Sequence, residues 1–310
     1  MGSTSPTTNR TTRAGDSVVR ILLFGGTGQL GHELRKRAED LSFELVSPVT
    51  KEVDITDRVQ VANLVGSIKP AVVINSAAYT AVDKAEQESE RAFVVNAEAV
   101  RTLAESCKRC SSRLIHVSTD YVFDGLLHRP LREDDAVNPV SVYGRSKWQG
   151  EQFVRDVLGE QGVIVRTQAL YGAKGVNFVG TMLKLFAERE VVKVVNDQWV
   201  SPTWAGWLAE VLLDLVRLPV GGTFHASCDG VVSWYDFALE IHRLAIPHFE
   251  DRPMARVEPT TAAELNRPAK RPVFSAFDTS RLSQTLKRPI LPWQRGLLEY
   301  LSEVGVVTQR

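Results

Sequence analysis

The chain has three cysteines in 310 residues, a number both sparse and odd, which excludes a disulfide scaffold. Cys107 and Cys110 stand as C-x-x-C, but late in a predicted amphipathic helix and away from any strand-to-helix turn. The spacing therefore predicts neither a redox pair nor a metal clamp, and a reducing, cytoplasmic setting is expected. Net charge is missing too: 37 basic residues balance 37 acidic ones. That balance offers no bulk attraction to nucleic acid or to an anionic membrane. No apolar run reaches the roughly 20 residues that cross a bilayer. Residues 1–18, MGSTSPTTNRTTRAGDSV, contain no apolar segment and read as a flexible tail, not a secretory signal. Apart from that tail there is no low-complexity stretch and no internal repeat.

What is present is an alternating rhythm. Val18 to Phe24 (VVRILLF) reads as a buried strand, followed by a glycine-rich turn and a helix through HELRKRAEDL. Phe43 to Ser47, Ala71 to Asn75 (AVVIN), Leu114 to Ser118 (LIHVS) and Val163 to Arg166 read as further strands. Helical patterns lie between them: VQVANLVGSI behind an Asp54–Asp57 cap, residues 86–109, and residues 143–159. Strand, helix, strand at this spacing predicts an α/β protein with a Rossmann-like, doubly wound parallel sheet over 19–171. Residues 172–310 read as a smaller C-terminal substrate domain. Helix 178–190 carries a core stripe of Phe178, Met182, Leu185 and Phe186, and 191–195 is a short strand. Helix 204–216 is expected to return to the first domain, while 219–310, with eight prolines, reads as irregular.

Gly25, Gly28 and Gly31 recur at three-residue steps between the first strand and its helix. A tight turn and a close-lying phosphate both exclude side chains there, and the helix N-terminus supplies free N–H groups for a pyrophosphate. Thr27, Gln29 and Leu30 complete that candidate dinucleotide cradle. The segment after the second strand, Val46 to Lys51, has no acid to grip a ribose diol. Lys51 either meets a 2′-phosphate or is a solvated surface lysine; the first reading tips the cofactor toward NADPH, with NADH as the other option. Asp54 and Ile55 are candidate neighbours of the adenine side. Ala77, Ala78, Tyr79 and Thr80 follow the AVVIN strand, where small residues let a cofactor cross the strand ends.

Tyr143 and Lys147 are four residues apart on a predicted helix and so share a face. A phenol is a proton donor with a high pKa, and a neighbouring ammonium lowers it. Thr119, at the end of LIHVS, is the candidate third group, donating to a substrate carbonyl oxygen. Asp120 is a candidate for substrate hydroxyls, and either residue could instead cap the following turn. Asn96 reads equally as a ligand of backbone near the lysine or as a capping asparagine.

These residues also carry a resemblance. FGGTGQLGHEL (24–34), VVINSAAYTAVDKAE (72–86), VSTDYVFDG (117–125), NPVSVYGRSKWQGE (138–151), NFVGTMLKLFAERE (177–190) and RPVFSAFDT (271–279) are similar to the dTDP-4-dehydrorhamnose reductases of the extended short-chain dehydrogenase superfamily. The likeness runs from about residue 20 to about 303. It implies NAD(P)H carried by the Gly25–Gly31 turn, Ala77–Thr80 and Lys147, with Thr119, Tyr143 and Lys147 as the catalytic set. It implies a nucleotide-sugar substrate, with Asn177 and Arg271 near it, no nucleic-acid or membrane partner, and a homodimer. On residues alone, Arg271 reads equally as a surface arginine.

Two departures stand out. Ala169 lies where the resemblance places a sugar-contacting tryptophan. The positions matching an intersubunit magnesium site are Glu33, Gly206 and Glu303, and glycine brings no ligand, so the metal is doubtful. The other readings are a different deoxysugar ketoreductase, a regulatory protein resembling the methionine adenosyltransferase regulatory subunit, and a nucleotide-sugar dehydratase or epimerase. An acidic pair directly after the threonine would favour a dehydratase, but Asp120 is followed by Tyr121.

Overall fold

Six short strands, most of them rich in Val, Ile and Leu, hydrogen-bond side by side into one parallel sheet. The computed structural model describes residues 18–41, 43–249 and 253–307; the tail read over 1–18 lies outside them except for Val18. In chain order the first half runs β1 (Arg20–Phe24), α1 (Gln29–Asp40), β2 (Glu44–Val46), α2 (Arg58–Ile68), β3 (Val72–Asn75), α3 (Val82–Ala85), α4 (Ser89–Phe93), a π-turn (Val94–Glu98), α5 (Ala99–Cys110), β4 (Arg113–Thr119), α6 (Val142–Leu158) and β5 (Gly162–Thr167). The second half adds β6 (Leu170–Tyr171), α7 (Phe178–Glu188), β7 (Val191–Val195), β8 (Trp199–Val200), β9 (Thr203–Trp204), α8 (Ala205–Arg217), β10 (Gly222–His225), β11 (Val232–Ser233), α9 (Trp234–Ala245), β12 (Arg256–Thr260), α10 (Ala262–Leu265), α11 (Ser280–Leu286) and α12 (Trp293–Glu303).

The sheet order is β10-β5-β4-β3-β1-β2, every pair parallel. Alternate strand residues serve opposite faces. Ile21 and Leu23 pack with α1 and α8, while Leu22 and Phe24 pack with α2, α5 and α6. The strand order reverses between β1 and β3, and a doubly wound sheet opens its ligand crevice at that point.

Helix α2 begins where expected, with Asp57 accepting from the Val59 and Gln60 N–H groups. The continuous helix expected over 86–109 is instead broken into α4, the π-turn and α5. Asn96 explains the break: from the π-turn its side chain accepts from Tyr79 N–H (2.8 Å) and donates to Tyr79 O (3.1 Å) and Ser146 Oγ (3.0 Å). Strand β10 lies within the stretch that reads as irregular. Its four residues, GTFH, carry no alternation long enough to register, yet they pair with Val163 to Arg166 and complete the sheet. Helices α9, α11 and α12 also fall in that stretch.

Candidate active site

The turn after β1 is built by its glycines. Gly25 has φ +85°, and a Cβ there would lie 2.5 Å from Ala77 N; one on Gly31 would lie 2.1 Å from Gly25 O. Those two glycines are required by the protein's own backbone. Gly28 is different, because a Cβ there would meet only Gly25 O, at an ordinary 3.4 Å. It caps α1 without any side-chain hydrogen bond, so the helix opens with uncapped N–H groups, an anion cradle.

This turn forms one wall of a cleft of about 730 Å³ over the carboxyl ends of the strands. Gly25, Thr27, Gly28, Gln29, Leu30 and Gly31 line it, as do Ala77, Ala78 and Thr80, then Thr119, Asp120, Tyr143 and Lys147. Sequence reasoning had not singled out Thr50, Ser76, Tyr121, Thr167, Gln168, Gly175 or Val176, which also line it. The signal for Thr167 and Gln168 is in the sequence: they end and follow a parallel strand, Thr167 pairing with Thr119 at the end of β4. Gln29 spans the cleft rim, donating to Val176 O at 3.3 Å, while its Oε1 is buried with no protein partner.

Five candidates stand elsewhere. Asp54 is exposed and accepts from Thr56 N and Oγ1 at 2.9 and 2.8 Å, closing a local turn, and Ile55 packs into the core beside α2. Asn177 caps α7, accepting from Gly180 N and donating to Gly172 O, both at 2.9 Å, so its amide is committed to the fold. Arg271 makes a two-bond pair with Asp83 (2.9 and 3.2 Å) and reaches Tyr121. It lines a neighbouring hollow of about 350 Å³ together with Arg267 and Lys270. Tyr79 sits behind the cleft wall, its backbone gripped by Asn96 and its phenol donating to Glu88 at 2.9 Å.

Ser141 caps α6 by accepting from Gly144 N–H, which starts the helix so that Tyr143 and Lys147 face the cleft. Gly144 and Gly150 permit close packing: a Cβ on either would strike Tyr121 O at 2.1 Å or Asn96 O at 2.2 Å. Tyr143 packs edge-on against Tyr121, ring centroids 5.3 Å apart. Its phenol is hydrogen-bonded to Thr119, whose Oγ1 donates to Asp120 Oδ1 at 3.0 Å. Burial raises the Tyr143 pKa well above its ordinary value; the Thr119 hydrogen bond opposes this, and Asp120 adds to it. Burial likewise pushes Asp120 up to about 6, against hydrogen bonds from Ser275 and Thr119. Lys147 is driven down to about 8 by burial, with Glu151 opposing. The expected lowering of the phenol by Lys147 is not what this geometry gives. The Lys147 amine donates instead to Val117 O at 2.7 Å and lies 3.4 Å from His116 Nε2.

The magnesium positions do not fit a divalent ion. Gly206 has no ligand, and a Cβ there would lie 2.4 Å from Arg37 Nη2. Arg37 pairs with the buried Glu33 and, at 3.2 Å, with Glu210, and stacks 5.1 Å over Trp204. Glu303 is held by Lys36 at 2.8 Å. The place a cation would neutralise already holds a guanidinium. Among the described residues no group of three or more His, Cys, Asp or Glu side chains could hold a metal. The C-x-x-C thiols are free, and burial pushes Cys107 up to about 12, the opposite of a reactive thiolate.

Fold and site together define a Rossmann-type dinucleotide-binding protein with the tyrosine–lysine pair of the short-chain dehydrogenases. The model of the RmlD substrate binding domain matches residues 19–306. A dTDP-4-dehydrorhamnose reductase of Streptomyces griseus is 42% identical over 287 residues, covering 90% of this chain and 92% of that protein. A dTDP-4-keto-6-deoxy-D-glucose reductase of Streptomyces niveus is 38% identical over 282 residues, covering 90% and 96%. The crystal structure of dTDP-4-dehydrorhamnose reductase from Bacillus anthracis in complex with NADP superposes with a TM-score of 0.86 at 35% identity, covering 93% of this chain and all of that one (100%). The chain belongs to the dTDP-4-dehydrorhamnose reductase family.

Proposed function

We propose that the protein is an NADPH-dependent oxidoreductase that reduces the 4-keto group of a dTDP-4-dehydro-6-deoxy sugar, dTDP-4-dehydro-L-rhamnose being converted to dTDP-L-rhamnose. The observation that carries this reading is a buried phenol, Tyr143, hydrogen-bonded to Thr119 in the same cleft as the glycine turn and Lys147. The residues fit the cofactor: the uncapped start of α1 and the open side of Gly28 suit its pyrophosphate, and Gln29 Oε1 lacks a protein partner. NADPH supplies the hydride to the carbonyl carbon. Tyr143 gives the proton to the carbonyl oxygen, so the ketone becomes a secondary alcohol and the phenol a phenolate awaiting a proton. Thr119 and Tyr143 flank that oxygen and stabilise its developing charge. Burial keeps Tyr143 protonated at neutral pH, as a proton donor must be. Arg267, Lys270 and Arg271 make the adjoining hollow cationic and suited to the sugar's diphosphate, with Tyr121 standing between it and the cleft.

A second reading, reduction of a different nucleotide deoxysugar, is favoured by Ala169. It lines the cleft in the left-handed region (φ +43°) and offers a methyl group where an aromatic side chain would fill space. The free thiols suit a reducing cytoplasm. A homodimer is supported by the resemblance alone, and sedimentation measures it directly.

The test mixes purified protein, NADPH and the epimerised sugar, dTDP-4-dehydro-L-rhamnose, and follows loss of the reduced cofactor's absorbance. Tyr143→Phe should bind NADPH normally and turn over at least about 10²-fold more slowly. Cofactor binding with no turnover on any keto sugar would overturn the assignment.

A further inference from the structure

His116 sits in the middle of β4, fully buried, its ring lying under α6 against Gly150 and Lys147. Its two nitrogens have different neighbours. Nδ1 lies 3.2 Å from Asn75 Nδ2, and Nε2 lies 3.4 Å from Lys147 Nζ. The orientation of the Asn75 amide is fixed independently, because Ala77 N–H donates to Asn75 Oδ1 at 3.1 Å. The end of the amide facing His116 is therefore the NH₂, which can only donate. Nδ1 must accept, so the single proton of the neutral imidazole lies on Nε2.

That proton points at Lys147. The lysine already donates to Val117 O at 2.7 Å. As an ammonium it has no lone pair, and the contact with Nε2–H sets donor against donor; as an amine it accepts Nε2–H. We propose that His116 is a positioning residue whose Nε2–H makes the buried Lys147 easier to deprotonate. The proposal deepens the reductase reading and rests on it for its catalytic meaning, though the hydrogen bond itself does not. Tyr143 must regain a proton after each turnover, and a lysine that exists in both forms near neutral pH can carry one in from water.

The surrounding charges leave this role to His116. On α6, Glu151 is the carboxylate that favours the ammonium, and it is already bound by Arg166 from β5 and by Arg155. Asp120, after β4, acts on Tyr143. The π-turn contributes uncharged Asn96, and β3 contributes uncharged Asn75. His116 does not take the proton itself, since burial and Lys147 hold its pKa well below the usual histidine value.

The experiment is nitrogen NMR on the full-length protein labelled at histidine and lysine, read without turnover. Wild type should show His116 with its proton on Nε2. Asn75→Asp replaces the facing NH₂ with a carboxylate oxygen, while its other oxygen still accepts from Ala77. The imidazole proton should move to Nδ1, Nε2 should then accept from Lys147, and the Lys147 titration should rise by about one pH unit or more. His116→Met removes the Nε2–H without adding charge, so it should raise the same titration by less. The basic limb of kcat should follow in both variants. A wild-type proton on Nδ1, or a Lys147 titration unmoved in both variants despite a lowered Tm, would overturn the proposal. If no keto sugar is reduced while the NMR results hold, the reductase reading fails and the His116 contact stands.

Discussion

Replacing Glu151 by Gln should cost the protein about 3–5 kcal/mol of stability, a large part of what a domain has to lose. Glu151 is completely buried one turn beyond Lys147, and Arg166 is 1% exposed at the end of β5. Their contact is two-pronged, Arg166 Nε to Oε1 at 2.9 Å and Nη2 to Oε2 at 2.7 Å, and Arg155 adds a third bond to Oε2 at 2.8 Å. Glutamine keeps the shape but offers one acceptor instead of two and turns an NH₂ toward a guanidinium. A buried cation is then left without its counter-charge, the costly way to break such a pair. The assay is urea denaturation, where the midpoint should fall with the slope unchanged. Converting both partners to apolar residues, Glu151→Leu with Arg166→Met, should restore most of the loss. The pH dependence has a fixed sign. Burial works to raise the Glu151 pKa, but the Arg166 hydrogen bonds and charge carry it below the ordinary 4.5. A depressed carboxyl contributes fully above the unfolded value and fades only as pH falls through the lower folded one. The gap between wild type and Glu151→Gln should therefore hold at neutral pH and shrink only in acid below about 4.5. A loss under about 1 kcal/mol at an unchanged slope would show that desolvation cancels the pair, refuting the reasoning.

The glycine turn separates folding from binding. Gly31→Ala drives a Cβ into Gly25 O and should cost about 2–4 kcal/mol by thermal melting, whereas Gly28→Ala should melt within about 0.5 kcal/mol of wild type. In calorimetric titration Gly28→Ala should nonetheless bind NADPH at least about tenfold more weakly, since a methyl group then faces the pyrophosphate. At Ala169, with φ +43°, glycine should be tolerated and valine should destabilise by about 1–2 kcal/mol in the same melts. Chelation of divalent ions by EDTA should leave the rate of NADPH oxidation unchanged, because Arg37 already neutralises Glu33.

Much of this was legible because the chemistry is concentrated where the pattern is strongest. Buried parallel strands are near-continuous apolar runs, and their carboxyl ends are where a doubly wound sheet places its ligands. Thr119 and the glycine turn follow from that rule, and Tyr143 with Lys147 from their four-residue spacing on one helix face. Strand β10 did not, since four residues with no alternation carry no periodic signal and are recruited by pairing with β5. Asn177 and Arg271 were placed by resemblance alone, and what resemblance cannot convey is commitment. An asparagine before a helix is as good a cap as a ligand, and an arginine near a carboxylate pairs with it, as Arg271 does with Asp83.

His116 marks the limit of such reading. In the sequence it is one polar residue in LIHVS, and a buried histidine in a strand is usually a packed core residue. Nothing within five positions of it reveals a lysine on α6 or an amide on β3. Its meaning comes from three elements that meet only when the sheet is assembled: the register that sets Asn75 opposite His116, the glycine at 150 that lets α6 approach, and the backbone N–H of Ala77 that orients the amide. The same reasoning predicts where further tuning residues should lie. They should be one layer below the cleft, on strand residues facing α6, and polar without being exposed. Ser118 meets the last two conditions, by its alternation with His116 and its 3% exposure, and it reaches the cleft wall itself. Ser118→Ala should accordingly change the pH profile of turnover more than its Tm, and the reverse outcome would confine that layer's influence to His116.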